Sequence, residues 1–284
     1  MLTGDADGNY YKGGIELKSI ADKAGIDLLV KESDGSYQNV MSVGKNQADL
    51  GISQMDVLVY FTYIDDEHKK ASDNCLAIAP TELEYIHILV NNKAGITSLE
   101  DIKDKKVAAG AGKSGTGFTF GFMTAYLYGM KADNPNFQTM EEEDGIKKVV
   151  EGEMDVAIYV TTLNSELFTS IPEDADVRLL SFTKGEISDK ARNVYSVKKI
   201  PAGTYPWLKE DVEVPVTPSF LIASKDAKPE SIEKLVKSLY ENEENLDDKT
   251  HLWTENASEA YEKLKALKIP FHPVVDKYFE GKKK

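Results

Sequence analysis

Residues 105–117 read KKVAAGAGKSGTG, and this stretch indicates the fold class better than any other part of the chain. A short apolar run enters it, a glycine-rich turn follows, and residues 118–128 have the composition of a helix. Backbone N–H groups at such a strand-to-helix turn lack partners within the helix, and the helix dipole adds positive potential. We therefore predict a βα unit with an anion-binding turn at this position.

The same turn imitates two nucleotide-binding motifs. The letters GKS at 112–114 end like a P-loop, but Val107 stands where that pattern requires its first glycine. The glycines within Gly110–Gly115 satisfy the dinucleotide fingerprint G-x-G-x-x-G. However, the polar stretch 131–136 follows the helix, and no clear strand ending in an acidic residue lies about 20 positions on, as the fingerprint requires. An oxidoreductase that uses Gly110–Gly115 to bind a nicotinamide cofactor is therefore a minor alternative.

The composition excludes several classes of partner. The 284-residue chain has a formal net charge of −14 and a pI of about 4.9, which argues against nucleic acid or an anionic membrane surface. No apolar run approaches the ~18 residues of a membrane-spanning helix. Cys75 is the single cysteine, so we expect neither an internal disulfide nor a cysteine-rich zinc site. Residues 1–4 resemble a strand end, and we expect that an export signal has been removed before them.

Strand and helix patterns alternate along the chain, which predicts an α/β fold with parallel strands. Two near-continuous apolar segments, residues 85–90 and 219–223, are expected to be buried strands that cross between two domains. This interpretation gives one lobe of residues 1–87 plus 220–284 and a second lobe of residues 88–219. Ordinary core strands are the alternative for both segments. The predicted strands are 27–31, 48–53, 76–79, 84–90, 106–109, 155–160, 177–182 and 219–224, and the predicted helices are 11–24, 36–46, 56–63, 115–128, 141–151, 163–170, 229–245 and 258–267.

Catalytic and metal-binding motifs are weak. The four histidines are scattered, without an H-E-x-x-H pattern or a cysteine partner, and no G-x-S-x-G elbow occurs. The acidic run 141–144 is expected to open a helix, where negative charge is favourable; general acid–base catalysis is the alternative. Asp5, Asp7, Asn9 and Glu16 have the spacing of calcium ligands in an EF-hand loop, but that loop lacks its central glycine. We predict no metal site and no catalytic residue.

Three glycine-containing turns lead from a strand end into a helix, at residues 3–11, 33–37 and 112–116. Ligands of open α/β sheets bind at the carboxyl ends of the strands. Three helix N-termini around one cleft would hold an anion without any cationic side chain. The two arginines, Arg178 and Arg192, lie outside the predicted strand-end loops of the first half, so no bidentate arginine clamp is predicted.

Five motifs occur in a defined order: TGDADGNYY at 3–11, ADLGISQMD at 48–56, GAGKSGT at 110–116, IPAGTYP at 200–206 and IPFHP at 269–273. Together they resemble the motifs of TRAP-transporter substrate-binding proteins of the TAXI type (TRAP-associated extracytoplasmic immunogenic). The resemblance covers nearly the whole chain, and the last two motifs are its most specific part.

Four positions depart from the pattern of this family. Asp5 replaces a glycine, Asn9 a threonine, Lys12 a proline and Met55 a serine. Asp5 adds negative charge, together with Asp7, to a loop that should face the ligand. These carboxylates would favour a ligand that carries an amine, and solvated surface residues are the alternative.

The resemblance implies a periplasmic-binding-protein fold of type II, with two α/β lobes, two crossing strands and a ligand cleft between the lobes. It implies no enzymatic activity, no cofactor and a periplasmic or other extracytoplasmic location. The implied partners are the membrane subunits of a sodium- or proton-driven TRAP transporter, and we expect a monomer. The implied ligand is a small organic acid such as 2-oxoglutarate or an acidic amino acid such as glutamate.

We therefore predict that backbone N–H groups and hydroxyls hold the carboxylate of a small anionic or zwitterionic ligand. Binding is expected to close the lobes by a hinge motion. Tyr10 and Tyr11 are core residues in the alternative interpretation, and Lys113 is a surface lysine. A ligand-sensing domain with the same fold is the remaining alternative for the whole chain. The predicted ligand-binding residues are Gly8, Asn9, Tyr10, Tyr11, Ser36 and Gln54 in the first lobe and Ser114, Gly115, Thr116, Thr161 and Thr162 in the second.

Overall fold

The computed structural model describes residues 1–131, 133–163, 165–182, 194–241 and 257–282. Its helices are α1 (Asn9–Lys23), α2 (Ser36–Gly44), α3 (Met55–Ile64), α4 (Asp66–Asp73), α5 (Gly115–Phe122), α6 (Glu142–Glu151), α7 (Glu166–Thr169), α8 (Pro229–Glu241), α9 (Ala257–Ala266) and α10 (Pro273–Lys282). Its strands are β1 (Leu50–Gln54), β2 (Cys75–Asn91), β3 (Val107–Ala108), β4 (Phe137–Gln138), β5 (Val156–Thr161), β6 (Val177–Leu179), β7 (Ser196–Ile200) and β8 (Val212–Ser224).

The chain divides into two compact units. The first contains Met1–Leu83 and Pro218–Lys284, and the second contains Glu84–Thr217. Both boundaries fall inside long strands, so β2 and β8 contribute residues to both units. These two strands contain the apolar segments that the sequence singled out. No helix in the described ranges is long and apolar enough to cross a bilayer.

The described strands form one sheet in the order β1-β8-β2-β5-β3-β4, with β6 on β2 and β7 on β8. The pairs β3–β4 and β3–β5 are parallel, whereas β1–β8, β2–β5, β2–β6 and β7–β8 are antiparallel. The prediction of parallel strands is therefore wrong for most pairs. The reason is that the alternation of elements along the chain does not fix strand direction, and both long strands take antiparallel neighbours.

Several element boundaries differ from the sequence prediction. The predicted strands 76–79 and 84–90 are one continuous strand, β2, which includes the polar stretch around Thr81. Within the predicted strand 27–31, the only bridge the structure shows is at Lys31, to Leu2. Elements α4, β4, β7 and α10 were not predicted. Short or strongly polar segments such as α4 carry too few apolar residues for a periodic pattern, and tertiary contacts decide their conformation.

Candidate functional site

In the first unit, the starts of three helices meet at the Ser36 hydroxyl. Ser36 is the first residue of α2 and is 1% exposed. Its Oγ lies 3.2 Å from the Tyr10 hydroxyl in the first turn of α1 and accepts a hydrogen bond of 3.1 Å from the backbone N–H of Gln54. Gln54 ends β1 and caps the start of α3. The structure therefore brings together three of the residues predicted from sequence to bind ligand in the first lobe.

Asn39 holds this arrangement in place, and sequence reasoning missed it. Its side chain is fully buried, and its Nδ2 donates to the carbonyls of Thr3 at 2.6 Å and Ile52 at 2.8 Å. Its Oδ1 accepts from the Ser33 hydroxyl at 2.7 Å. One amide thus ties the starts of α1 and α2 to β1. The available signal was an asparagine in the middle of a predicted helix, because such a side chain requires hydrogen-bond partners when it is buried.

We expect Ser36→Ala to lower the free energy of unfolding by about 1–3 kcal/mol, because the buried Gln54 N–H loses its acceptor. Urea denaturation would measure this loss. Ser42→Ala, a partly exposed position on the same helix, is the matched control and should change stability by no more than about 0.5 kcal/mol. Equal effects of the two variants would contradict the role assigned to Ser36.

The remaining residues predicted in the first lobe lie at the start of α1. Gly8 is the N-cap residue, and Asn9 and Tyr11 are partly exposed within the first turn. Asp5 and Asp7 are exposed on the preceding turn. Because α1 begins at Asn9, residues 9–16 of the candidate EF-hand loop are helical, which argues against the calcium alternative. In the described part of the chain, no group of three or more His, Cys, Asp and Glu side chains could hold a metal ion.

In the second unit, the glycine-rich turn leads from β3 into α5 as predicted. Ser114 is the N-cap residue: its Oγ accepts from the Gly117 N–H at 3.0 Å and lies 2.8 Å from the Ala111 carbonyl. Gly110 has a φ of +79°, which favours glycine. Gly115 is buried. Ser114→Ala would therefore remove a helix cap as well as a hydroxyl.

Thr116 connects this turn to the neighbouring strand. Its side chain is 4% exposed, and its hydroxyl accepts a hydrogen bond of 3.2 Å from the backbone N–H of Val160 in β5. The two other predicted residues of this lobe follow closely. Thr161 ends β5 opposite Tyr85 of β2, Thr162 comes next, and both are partly exposed. The packing of Thr116 on β5 thus brings the α5 turn next to the strand that carries Thr161.

The turn also receives a carboxylate that sequence reasoning did not place there. Glu142, the first residue of α6, has its Oε1 3.3 Å from the Ser114 hydroxyl. Burial raises the pKa of Glu142 above its usual value, and nearby polar groups, among them the Thr116 side chain and the Ala111 N–H, act in the opposite direction. The acidic run 141–144 does open a helix, as predicted, but its Glu142 carboxylate lies at the α5 turn.

A buried aromatic cluster lies in the second unit. His87 of β2 is fully buried, stacks on Phe168 at 4.3 Å between ring centroids, and has its Nε2 2.7 Å from the Tyr205 hydroxyl. Burial lowers the pKa of His87 to about 4, so the ring is neutral at physiological pH. Tyr205 belongs to the IPAGTYP motif and stacks on Trp207. This motif therefore supplies core residues of the second unit.

The IPFHP motif has a structural role in the first unit. Phe271 forms a bridge to Ala77 of β2, and the His272 N–H donates to the Ala77 carbonyl at 3.0 Å.

Arg178, in β6, donates to the Ile96 carbonyl, so the guanidinium takes part in the packing of the second unit. Arg192 lies outside the described residues.

Comparison with known proteins identifies the family. Residues 1–282 match the sequence profile of the NMT1-like family. The chain belongs to the NMT1-like family. Among solved structures, XAC2383 from Xanthomonas citri bound to chloride ion is 12% identical over 99% of this chain and 93% of that chain, with a TM-score of 0.56. The same protein bound to ATP gives 10% identity over the same shares and a TM-score of 0.55.

Other similar structures come from amino acid-binding proteins. An ancestral arginine-binding protein bound to arginine is 19% identical over 88% of this chain and 86% of that chain, with a TM-score of 0.49. At such identities, structural likeness describes the fold. This member of the NMT1-like family has the mixed α/β fold of type II periplasmic binding proteins, with a single sheet and flanking helices, which confirms the predicted fold class.

Proposed function

We propose that this protein is the extracytoplasmic solute-binding component of a TRAP transporter of the TAXI type. It captures a small carboxylate-bearing ligand, such as glutamate or 2-oxoglutarate, and delivers it to the membrane subunits as a monomer without catalysing a reaction. The observation that carries the proposal is the meeting of three helix starts at Ser36 in a unit with a solute-binding fold. Helix N-termini offer backbone N–H groups and positive potential to an anion.

The second unit supplies a comparable set of donors. The turn 110–116 leads into α5, and the hydroxyls of Thr161 and Thr162 follow β5. We propose that these groups, like those around Ser36 in the first unit, offer hydrogen bonds to a ligand carboxylate. An affinity in the micromolar range, about −8 kcal/mol, would allow both capture and release.

A thermal-shift screen tests this proposal. The panel contains the 20 amino acids and a set of C4–C6 organic acids, each added in excess to the purified protein. A ligand that binds the native state raises the melting temperature by an amount that grows with its concentration. We expect a shift from at least one carboxylate. If no carboxylate shifts the melting temperature, the proposed ligand class is wrong.

Thr116→Ala should weaken binding of the carboxylate found in this screen about tenfold, because the variant removes a hydroxyl donor of the turn. It should also cost about 1–2 kcal/mol of stability, since the Val160 N–H loses its acceptor. Thr116→Ser keeps the hydroxyl and is the matched control. Calorimetric titration of both variants decides the matter: if alanine and serine variants bind equally, the hydroxyl has no part in recognition.

Two alternative functions predict different observations. A ligand-sensing domain would bind the same ligands, and its gene would lie beside a kinase gene and not beside transporter genes. A nicotinamide-dependent oxidoreductase would need the turn 110–115 for a pyrophosphate. We expect no thermal shift with NADH, and a clear shift would favour the oxidoreductase.

A further inference from the structure

Glu142 is a titratable side chain at the α5 turn to which the proposed function gives no role. It reaches the turn from the first residue of α6, while the turn itself precedes α5. Its Oε1 accepts a hydrogen bond of 3.3 Å from the Ser114 hydroxyl. Ser114 is one of the residues proposed to bind the ligand.

The Ser114 hydroxyl cannot serve two carboxylates at full strength. A hydroxyl has one proton to donate, and the Ser114 proton already has the Ala111 carbonyl at 2.8 Å and Glu142 at 3.3 Å as acceptors. Two ionised carboxylates that share one site repel each other strongly. A ligand carboxylate at this turn would therefore meet an occupied donor and a like charge.

We propose that Glu142 is an internal competitor of the ligand: its ionised carboxylate lies at the Ser114 hydroxyl of the α5 turn, and a ligand carboxylate binds there only when Glu142 is protonated or displaced. This inference rests on the proposed function. It makes Glu142 the residue that sets the charge preference of the turn. The Glu142 carboxylate lowers the affinity for a solute that places an anionic group at the turn. It does not lower the affinity for a solute that places a neutral group there.

The surroundings of Glu142 determine how its competition depends on pH. Glu141 on the same helix raises its pKa further, the turn contributes the uncharged groups of Ala111, Ser114 and Thr116, and Lys113 on the turn is exposed. Burial and the neighbouring carboxylate both favour the protonated form, and a ligand carboxylate would favour it more. Binding should then take up a proton. The affinity for a carboxylate would rise as pH falls, by at most about tenfold per pH unit.

The test compares wild-type protein with Glu142→Gln and Glu143→Gln by calorimetric titration. L-Glutamate, 2-oxoglutarate, succinate and L-glutamine are the probes, at several pH values between about 6 and 8, where the probe carboxylates stay ionised. Glutamine keeps the size of Glu142 without its charge. Glu143 is exposed in the same first turn of α6, so its variant is a control for the change in net charge. Melting temperatures confirm that both variants are folded.

We expect Glu142→Gln to bind at least one carboxylate probe about tenfold more tightly than wild type at the highest pH and to lose most of the pH dependence. Glu143→Gln should behave as wild type. If Glu142→Gln binds with unchanged or lower affinity, the competition is refuted while the proposed function stands. If no probe binds any of the three proteins, the carboxylate-binding function fails and the inference fails with it. Binding by Glu142→Gln alone would support the inference most directly.

Discussion

Phe168→Ala is expected to lower the free energy of unfolding by about 3–5 kcal/mol, because it empties the centre of the aromatic cluster in the second unit. The ring is fully buried and stacks on both His87 and Tyr159. The Phe168 carbonyl also accepts from Trp207 Nε1 at 2.8 Å, so movement of this residue disturbs a second buried contact. Chemical denaturation measures the change directly.

A second measurement separates loss of packing from general unfolding. Burial holds the pKa of His87 at about 4, and water entering the cavity would raise this pKa toward its usual value near 6.5. An NMR titration of the His87 ring in Phe168→Ala should show that rise. Leu167→Ala, at a partly exposed neighbouring position, is the control and should cost no more than about 1 kcal/mol. Equal destabilisation by both variants would show that the cluster does not depend on Phe168.

Gly117→Ala should destabilise the protein by about 3 kcal/mol and abolish ligand binding at the α5 turn. A Cβ atom at this position would lie 2.2 Å from the Ala111 carbonyl oxygen, a backbone atom that cannot yield without opening the turn. The Gly117 N–H also donates to the capping hydroxyl of Ser114. The substitution therefore displaces the whole start of α5.

Gly112→Ala is the matched control for this prediction. A Cβ atom there would meet only the Thr139 methyl group at 3.4 Å, an ordinary contact. We expect normal stability and unchanged binding in this variant, measured by thermal melting and by titration with the ligand from the screen. If Gly112→Ala is as harmful as Gly117→Ala, Gly112 matters for a reason other than the packing of the turn.

The sequence predicted the elements that carry strong local signals. Glycine turns followed by helical patterns located α1, α2 and α5. The long apolar segments located β2 and β8. These features depend on backbone conformation and on periodic burial within a few residues of each other, and such information is contained in a short stretch of chain.

Contacts between distant residues could not be predicted in the same way. Two strands of two and five residues, β4 and β7, exist because β3 and β8 offer them backbone partners. The motif IPAGTYP carried part of the family resemblance, and its Tyr205 is a buried partner of His87, 118 residues away along the chain. A contact between residues so far apart in the chain leaves no periodic pattern in the sequence around either residue, so the sequence could not predict it.

For this protein, the sequence alone determined the α/β class and the positions of the glycine turns that begin α1, α2 and α5. It also determined the acidic net charge and the single cysteine, which argue against nucleic acid and against a cysteine-rich zinc site. Only the tertiary structure decided what faces those turns. It brought Tyr10, Ser36 and Gln54 together and buried the Asn39 side chain against the carbonyls of Thr3 and Ile52. It also placed the Glu142 carboxylate at the turn that the sequence predicted to bind a ligand. The physical reason is that the local backbone alone decides where a helix start leaves N–H groups without an intrahelical partner. Tertiary packing decides which group then accepts their hydrogen bonds.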